Sequence, residues 1–305
     1  MKYKRWLKST REVSAIALGT WVFGGDAWGE IDEEECIATV KTAIDHGINL
    51  IDTAPIYGDG LAERIVGRAL QGQGAQVFVA TKCGLVKKGR RVGNNLSPES
   101  IQQELEDSLK RLKRDYVDLY QCHWPDPGTP VEETMQCLNR LKLQGKIRFI
   151  GVSNFDTALL TKAGTSADVV SLQSQYSLLE RGMEKAEIPF CIQNNINIMA
   201  YGVLGGGILT GKYKTPPQFA GSDARRFFYK FYQPAAFQEV QDFLKKLERF
   251  NRPLNQIALN WASQQPAVTC VLVGCRSPQQ VTDNLRALDW ELSPDELNEI
   301  LHMRI

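Results

Sequence analysis

Short runs rich in Val, Ile and Leu recur along the chain, each followed by a segment in which apolar residues return with helical period. Eight runs stand out: VSAIALGT from Val13, NLIDTAP from Asn49, VFVATKCG from Val77, YVDLYQCHW from Tyr116, IRFIGVSNF from Ile147, VVSLQSQYS from Val169, NINIMAYGVL from Asn195 and VTCVLVGCRS from Val268. Helix starts between them carry a capping side chain with acid, Gln or Pro in the first turn: Asp32 before EEECIATVKTAI, Ser97-Pro98 before ESIQQELEDSLKRL, and Ser277-Pro278 before QQVTDNL. Alternating strands and helices predict a parallel sheet, and eight right-handed units predict closure into a (β/α)8 TIM barrel, with a doubly wound sheet as the rival topology. Residues up to about Glu12 read as a hairpin or plug under the barrel, and Ser293 to Ile305 as a closing helix capped at Ser293. A single barrel domain over residues 1–305 is the expectation. The longest stretch without a clear period, Lys214 to Pro234, follows the seventh run. It reads either as a surface loop tucking aromatics onto the rim or as a lid over a ligand.

At 305 residues and 43% hydrophobic, the chain can bury a large core. Lys and Arg number 36 against 35 Asp and Glu, so no global field favours nucleic acid or an anionic membrane. Small molecules are the expected partners, with no obligate protein partner. The opening MKYKRWLKSTREVS holds no signal-like apolar stretch, and nothing downstream is long enough to span a bilayer, so a cytoplasmic protein is expected. Seven cysteines form an odd set without C-x-x-C and fall in apolar segments, which predicts reduced, mostly buried thiols. No metal site is expected.

Polar residues at the carboxyl ends of barrel strands are where such folds carry chemistry. The second run ends in IDTAPIYG, with Asp52 on the strand and Tyr57 just after it; the third carries Lys82 and the fourth His123. Neighbouring strands lie about 4.8 Å apart, so these four can converge within hydrogen-bonding reach. Singly, each has a plain structural explanation: a turn cap, a rim ring, a solvated amine, a core histidine. Together they form a proton-transfer set. An ammonium beside a phenol lowers a pKa that is ordinarily about 10, making Tyr57 a usable acid. Asp52 can hold the Lys82 charge in an apolar mouth, and His123 can polarise a carbonyl oxygen. Such a set suits carbonyl reduction. No G-x-G-x-x-G follows the first strand. Gly206, Gly211 and Lys212 have P-loop spacing, but Tyr213 stands where a Ser or Thr must bind Mg, so a nucleotidase is rejected. The glycines after strand seven and the Ser277-Pro278 helix start read as a phosphate grip, or, for Gly205 to Gly207, as glycines that only turn the chain.

LGTW at Leu18, LIDTAPIYG at Leu50, SLKRLKRDYVDLYQCHWPDP at Ser108, GKIRFIGVSNF at Gly145 and YGVLGGGILTGK at Tyr201 resemble the aldo-keto reductase family over essentially the whole chain. The resemblance is nearest the bacterial stress-protein-like branch, related to potassium-channel β subunits. It implies an NADPH-dependent reductase of aldehydes and ketones with Tyr57 as acid, assisted by Asp52, Lys82 and His123. It also implies that Gly19, Thr20, Trp21 and Asp52 border the cofactor, that Ser153, Asn154 and Gln175 hold its carboxamide, and that Tyr201 stacks on the nicotinamide. Gly202, Leu204, Gly206 and Lys212 would follow the pyrophosphate, and Gly274, Arg276, Gln280, Asp283 and Asn284 the adenosine end. Trp21 and Trp124, beside Tyr57 and His123, would wall the substrate. The chain departs from the pattern at Gly274 and Gln280, where relatives carry Lys and Arg, at Gly202, where they carry Ser, and in a hairpin without the usual glycine turn. Some NADH use is therefore expected beside NADPH. Two other functions stay open: a β-subunit-like module that holds NADPH as a redox sensor, and a Schiff-base lyase using Lys82.

Overall fold

The computed structural model describes residues 1–25, 27–72, 76–89 and 91–303. A hairpin of β1 (Tyr3–Arg5) and β2 (Glu12–Ser14) precedes a closed ring of eight parallel strands. These are β3 (Ile16–Gly19), β4 (Leu50–Asp52), β5 (Phe78–Cys83), β8 (Val117–Cys122), β9 (Ile147–Ser153), β10 (Val169–Gln175), β11 (Asn197–Tyr201) and β12 (Val268–Gly274), with β12 pairing back onto β3. The expected TIM barrel is the observed one. Helices cover it: α1 (Glu33–Asp45), α2 (Leu61–Ala69), α3 (Pro98–Leu112), α4 (Val131–Leu143), α5 (Thr157–Ser166), α6 (Glu187–Asn194), α8 (Pro234–Leu247), α9 (Leu254–Ser263) and α10 (Pro278–Leu285). The three capping side chains do what the sequence suggests: Asp32 accepts from Glu34 and Glu35 N–H, Ser97 from Ser100 N–H and Ser277 from Gln280 N–H.

The lower lumen is apolar, filled by Ala17, Leu50, Phe78, Leu119, Val170 and Met199. Trp6 closes it from below, fully buried, with its ring 5.0 Å from Phe78 and 6.3 Å from Phe149. The hairpin is tied on by Arg11, whose Nη1 lies 2.7 Å from buried Asp118 Oδ1 on β8, and by Lys4, which donates to Val268 O at 2.7 Å. Its turn manages without glycine because Lys8 takes a left-handed φ of 59°. The closing helix is α11 (Pro294–His302), opened by a capping box between Ser293 and Glu296; Arg304 and Ile305 of the expected segment lie outside the described residues.

Three elements differ from expectation. The run from Val13 is split: Val13 and Ser14 pair antiparallel with β1, and the barrel strand begins only at Ile16. A second hairpin, β6 (Leu85–Lys88) with β7 (Arg91–Asn94), follows β5; its paired Lys and Arg residues hide the alternation that marks strands. The stretch from Lys214 to Pro234 is not structureless, since it contains α7 (Arg225–Phe228) and a 3-10 turn at Lys230–Tyr232. All seven cysteines are free and buried. Among the described residues no helix is long and apolar enough to cross a membrane.

Trp6→Ala removes the largest side chain under the barrel and should cost about 3–5 kcal/mol of unfolding free energy. Denaturant titration checks it, and a loss below about 1 kcal/mol would show that the plug is dispensable.

Candidate active site

Asp52 ends β4, Tyr57 sits in the turn before α2, Lys82 is the penultimate residue of β5, and His123 follows β8 directly. All four therefore stand at the carboxyl end of the barrel. Lys82 is fully buried, and its Nζ donates to Asp52 Oδ1 at 2.5 Å, Thr53 O at 3.0 Å and Tyr57 Oη at 3.2 Å. His123 does not join by the expected hydrogen bonding. Its ring stands edge-on to the Tyr57 ring, with centroids 5.8 Å apart.

Burial first, and then the Asp52 charge, push the Tyr57 phenol well above its ordinary pKa, which overturns the expectation that Lys82 lowers it. Burial also draws the Lys82 ammonium below its ordinary value, against the opposing pull of Asp52. His123 is held well below the ordinary imidazole value by burial and then by Lys82. Near neutrality the site thus presents a protonated phenol beside a neutral imidazole.

Sequence reasoning missed two residues, Gln121 and Gln173, both buried inside the barrel. Their side-chain amides donate to Asp52 Oδ2 at 3.1 and 2.8 Å. The signal was present: each is a polar residue two positions before a singled-out one, His123 and Gln175, and so shares its face of the strand. Trp28 was also missed. With Phe228 it packs edge-on against Trp21, at 5.2 and 5.1 Å, while Trp21 stacks on Tyr57 at 6.1 Å. Trp124 stands at the rim, 36% exposed.

Along the expected cofactor positions, Gly19 ends β3, and buried Thr20 uses both its N–H and its hydroxyl on Asp52 O, each at 3.0 Å. Ser153 is buried at the end of β9; Asn154 Nδ2 donates to Ser153 Oγ and His123 O, and Tyr201 Oη donates to Asn154 Oδ1 at 2.9 Å. Gln175 and Tyr201 are register partners at the ends of β10 and β11, and Gly202 lies against the Gln175 side chain. Leu204 packs on the core, and the glycines after it turn sharply, Gly206 at φ 66° and Gly207 at φ 100°, so the turning role weighed in the sequence is a real requirement. Lys212 is exposed, its Nζ 4.9 Å from the Tyr213 ring centroid.

The segment before α8 lies across this face. Ala224 N–H donates to Ala27 O at 2.8 Å, Tyr232 Oη to Gly206 O at 2.9 Å, and Arg225 spans Asp223 and Tyr213. Tyr229, Phe231 and Tyr232 are buried, as the rim-packing reading has it, whereas Phe227 and Phe228 are exposed. At the far end, Gly274 packs on Val22, and Gln280 Oε1 accepts from Arg276 N–H at 2.9 Å. The Arg276 guanidinium meets Trp28 O at 3.1 Å and also Glu30 O, rather than pairing with Asp283. Asp283 accepts from Gln279 instead, and Asn284 is packed between Asn255 and Cys275.

The model of the aldo/keto reductase family matches residues 15–304. Aldo-keto reductase YhdN of Bacillus subtilis is 39% identical over 307 residues, covering 98% of this chain and 92% of that protein. The NADH-specific methylglyoxal reductase of Escherichia coli is 38% identical, covering 92% of this chain and 91% of that one. Among solved structures, the glycerol dehydrogenase of Gluconobacter oxydans superposes with a TM-score of 0.88 at 37% identity, over 98% of this chain and 94% of that one. The chain belongs to the aldo/keto reductase family and is an oxidoreductase on the (β/α)8 barrel.

Proposed function

We propose that the protein reduces aldehydes and ketones to alcohols with a nicotinamide cofactor, preferring NADPH and accepting NADH, and that Tyr57 is the proton donor. The observation that carries this reading is the Lys82 ammonium fixed between Asp52 Oδ1 at 2.5 Å and the Tyr57 phenol at 3.2 Å. The donor set suits a dinucleotide: a hydroxyl and two amides at Ser153, Asn154 and Gln175 complement a carboxamide. The helix start at Ser277 turns the positive end of the α10 dipole toward a phosphate, although its Gln280 N–H is already capped by Ser277.

A bound reduced nicotinamide would supply hydride to the carbonyl carbon. Tyr57 holds the proton destined for the carbonyl oxygen, and its raised pKa keeps that proton in place until the oxygen gains charge. Lys82 steadies the phenolate left behind, and Asp52 keeps Lys82 charged despite its burial. His123, neutral, donates a ring N–H to the same oxygen. Trp21, Trp28 and Phe228 screen the mouth from water. A Schiff-base role for Lys82 fits poorly, because all three of its N–H groups already have partners.

Cofactor preference rests on Arg276, the cation of the GCRSPQQ stretch. Its guanidinium already serves the carbonyls of Trp28 and Glu30, so a 2′-phosphate must share it, which makes the preference modest. The Escherichia coli relative, named NADH-specific, is consistent with a barrel that accepts either form.

Tyr57→Phe should lower aldehyde turnover about 100- to 10,000-fold while cofactor binding holds. Steady-state kinetics beside fluorescence titration checks this, and near wild-type turnover would remove Tyr57 from the role. Wild-type turnover that is slow, with cofactor retained through many wash steps, would instead favour the redox-sensing module. With His123 shifted down and Tyr57 shifted up, neither titrates near neutrality, so kcat/KM for reduction should be flat between about pH 7 and pH 8, and a fall above that window should follow loss of the Lys82 proton, which burial makes easier to remove. A break inside that window contradicts the assignment. Arg276→Ala should weaken NADPH about ten-fold and leave NADH unchanged, as measured by paired binding titrations. Equal effects on both would place 2′-phosphate recognition elsewhere.

A further inference from the structure

Directly below the proton-transfer groups the barrel lumen changes from apolar to polar. Asp52 on β4, Lys82 on β5, Gln121 on β8 and Gln173 on β10 form one layer across it, and none of them is more than 3% exposed. In the ring of eight strands β10 lies four strands from β4 in either direction, so Gln173 reaches Asp52 across the full lumen, at 2.8 Å. Gln173 Nε2 also lies 3.4 Å from Gln121 Oε1, which turns the Gln121 amide nitrogen toward Asp52. Gly151 on β9, register partner of Gln121 and of Ser171, leaves the room this needs. A Cβ there would stand 3.0 Å from Gln121 Cγ and 2.4 Å from Ser171 Oγ.

We propose that Gln121 and Gln173 are positioning residues for proton delivery, holding Asp52 charged and oriented so that Lys82 remains an ammonium facing Tyr57. This rests on the reading of Tyr57 as the proton donor. A carboxylate sealed from water must have both oxygens satisfied or lose its charge. Lys82 satisfies Oδ1, and the two amides satisfy Oδ2. Without them the cheapest relaxation is transfer of one proton from Lys82 Nζ to Asp52 Oδ1, which leaves a neutral amine and a neutral acid with no change in total charge. A neutral amine is a poor partner for the phenolate that Tyr57 becomes, so proton delivery slows while the rest of the pocket is untouched. Neither amide touches the groups assigned to substrate, and their effect passes through Asp52.

Gln121→Met and Gln173→Met each remove one donor at nearly constant volume. Each should lower kcat for aldehyde reduction about ten-fold, the scale of one charge-assisted hydrogen bond, with KM and cofactor Kd within about two-fold of wild type. The solvent deuterium isotope effect on kcat should rise, because proton transfer becomes more limiting. Gln121→Asn and Gln173→Asn withdraw the amide but keep the lumen polar, and read the same change if a Met variant does not fold. Ser171→Ala, two positions before Gln173 on the same face of β10 and with no hydrogen bond to Asp52, should leave kcat and the isotope effect unchanged. Wild-type kcat and isotope effect in the Gln variants, or an equal change in Ser171→Ala, would overturn the proposal. Tyr57→Phe in the same assay separates the two ideas: if it keeps its turnover, the reading of Tyr57 has failed, whereas loss in Tyr57→Phe with none in the Gln variants sinks only this inference.

Discussion

Lys82 has no contact with solvent, and an ammonium taken out of water unpaired would give up its proton. Asp52 at 2.5 Å keeps the charge, and that pair in turn needs a polar layer inside a barrel whose floor is apolar. Much of the upper barrel follows from this requirement. Gln121 and Gln173 occupy lumen positions that a barrel fills with Val, Ile or Leu when packing alone decides. Gly151 stays small so that they fit, and Thr20 anchors the first strand to the Asp52 carbonyl.

The same burial reverses a simple electrostatic expectation. In water an ammonium next to a phenol makes the phenol more acidic; here desolvation and the Asp52 charge outweigh it. A site of this kind favours proton transfer through placement and through stabilisation of the charge left behind, rather than through a donor that is acidic at rest.

The barrel and the four central side chains were legible in the sequence because both rest on short-range patterns. Alternating strand and helix periods give the topology, and polar residues at strand ends give the mouth. What stayed hidden depends on contacts across the fold. Gln121 and Gln173 lie 52 residues apart in the chain and meet only because β8 and β10 share a lumen. The hairpin β6–β7 was masked by its charges, and the Val13 run looked continuous although a plug and a barrel strand divide it. Arg276 was visible, but its attachment to Trp28 and Glu30, 248 and 246 residues away, was not.

The plug has a consequence for proton traffic. Trp6 and the packed side chains above it close the amino-terminal end of the barrel, and among the described residues the lumen below the polar layer is filled with buried apolar side chains. Under the proposed function, the proton that reloads Tyr57 after each turnover would have to enter by the mouth, through the opening that alcohol leaves and fresh carbonyl enters. On that reading, reprotonation and ligand exchange would share one doorway, framed by Trp21, Trp28 and Phe228, and whatever shuts that doorway against water would also hold the acid in its spent form.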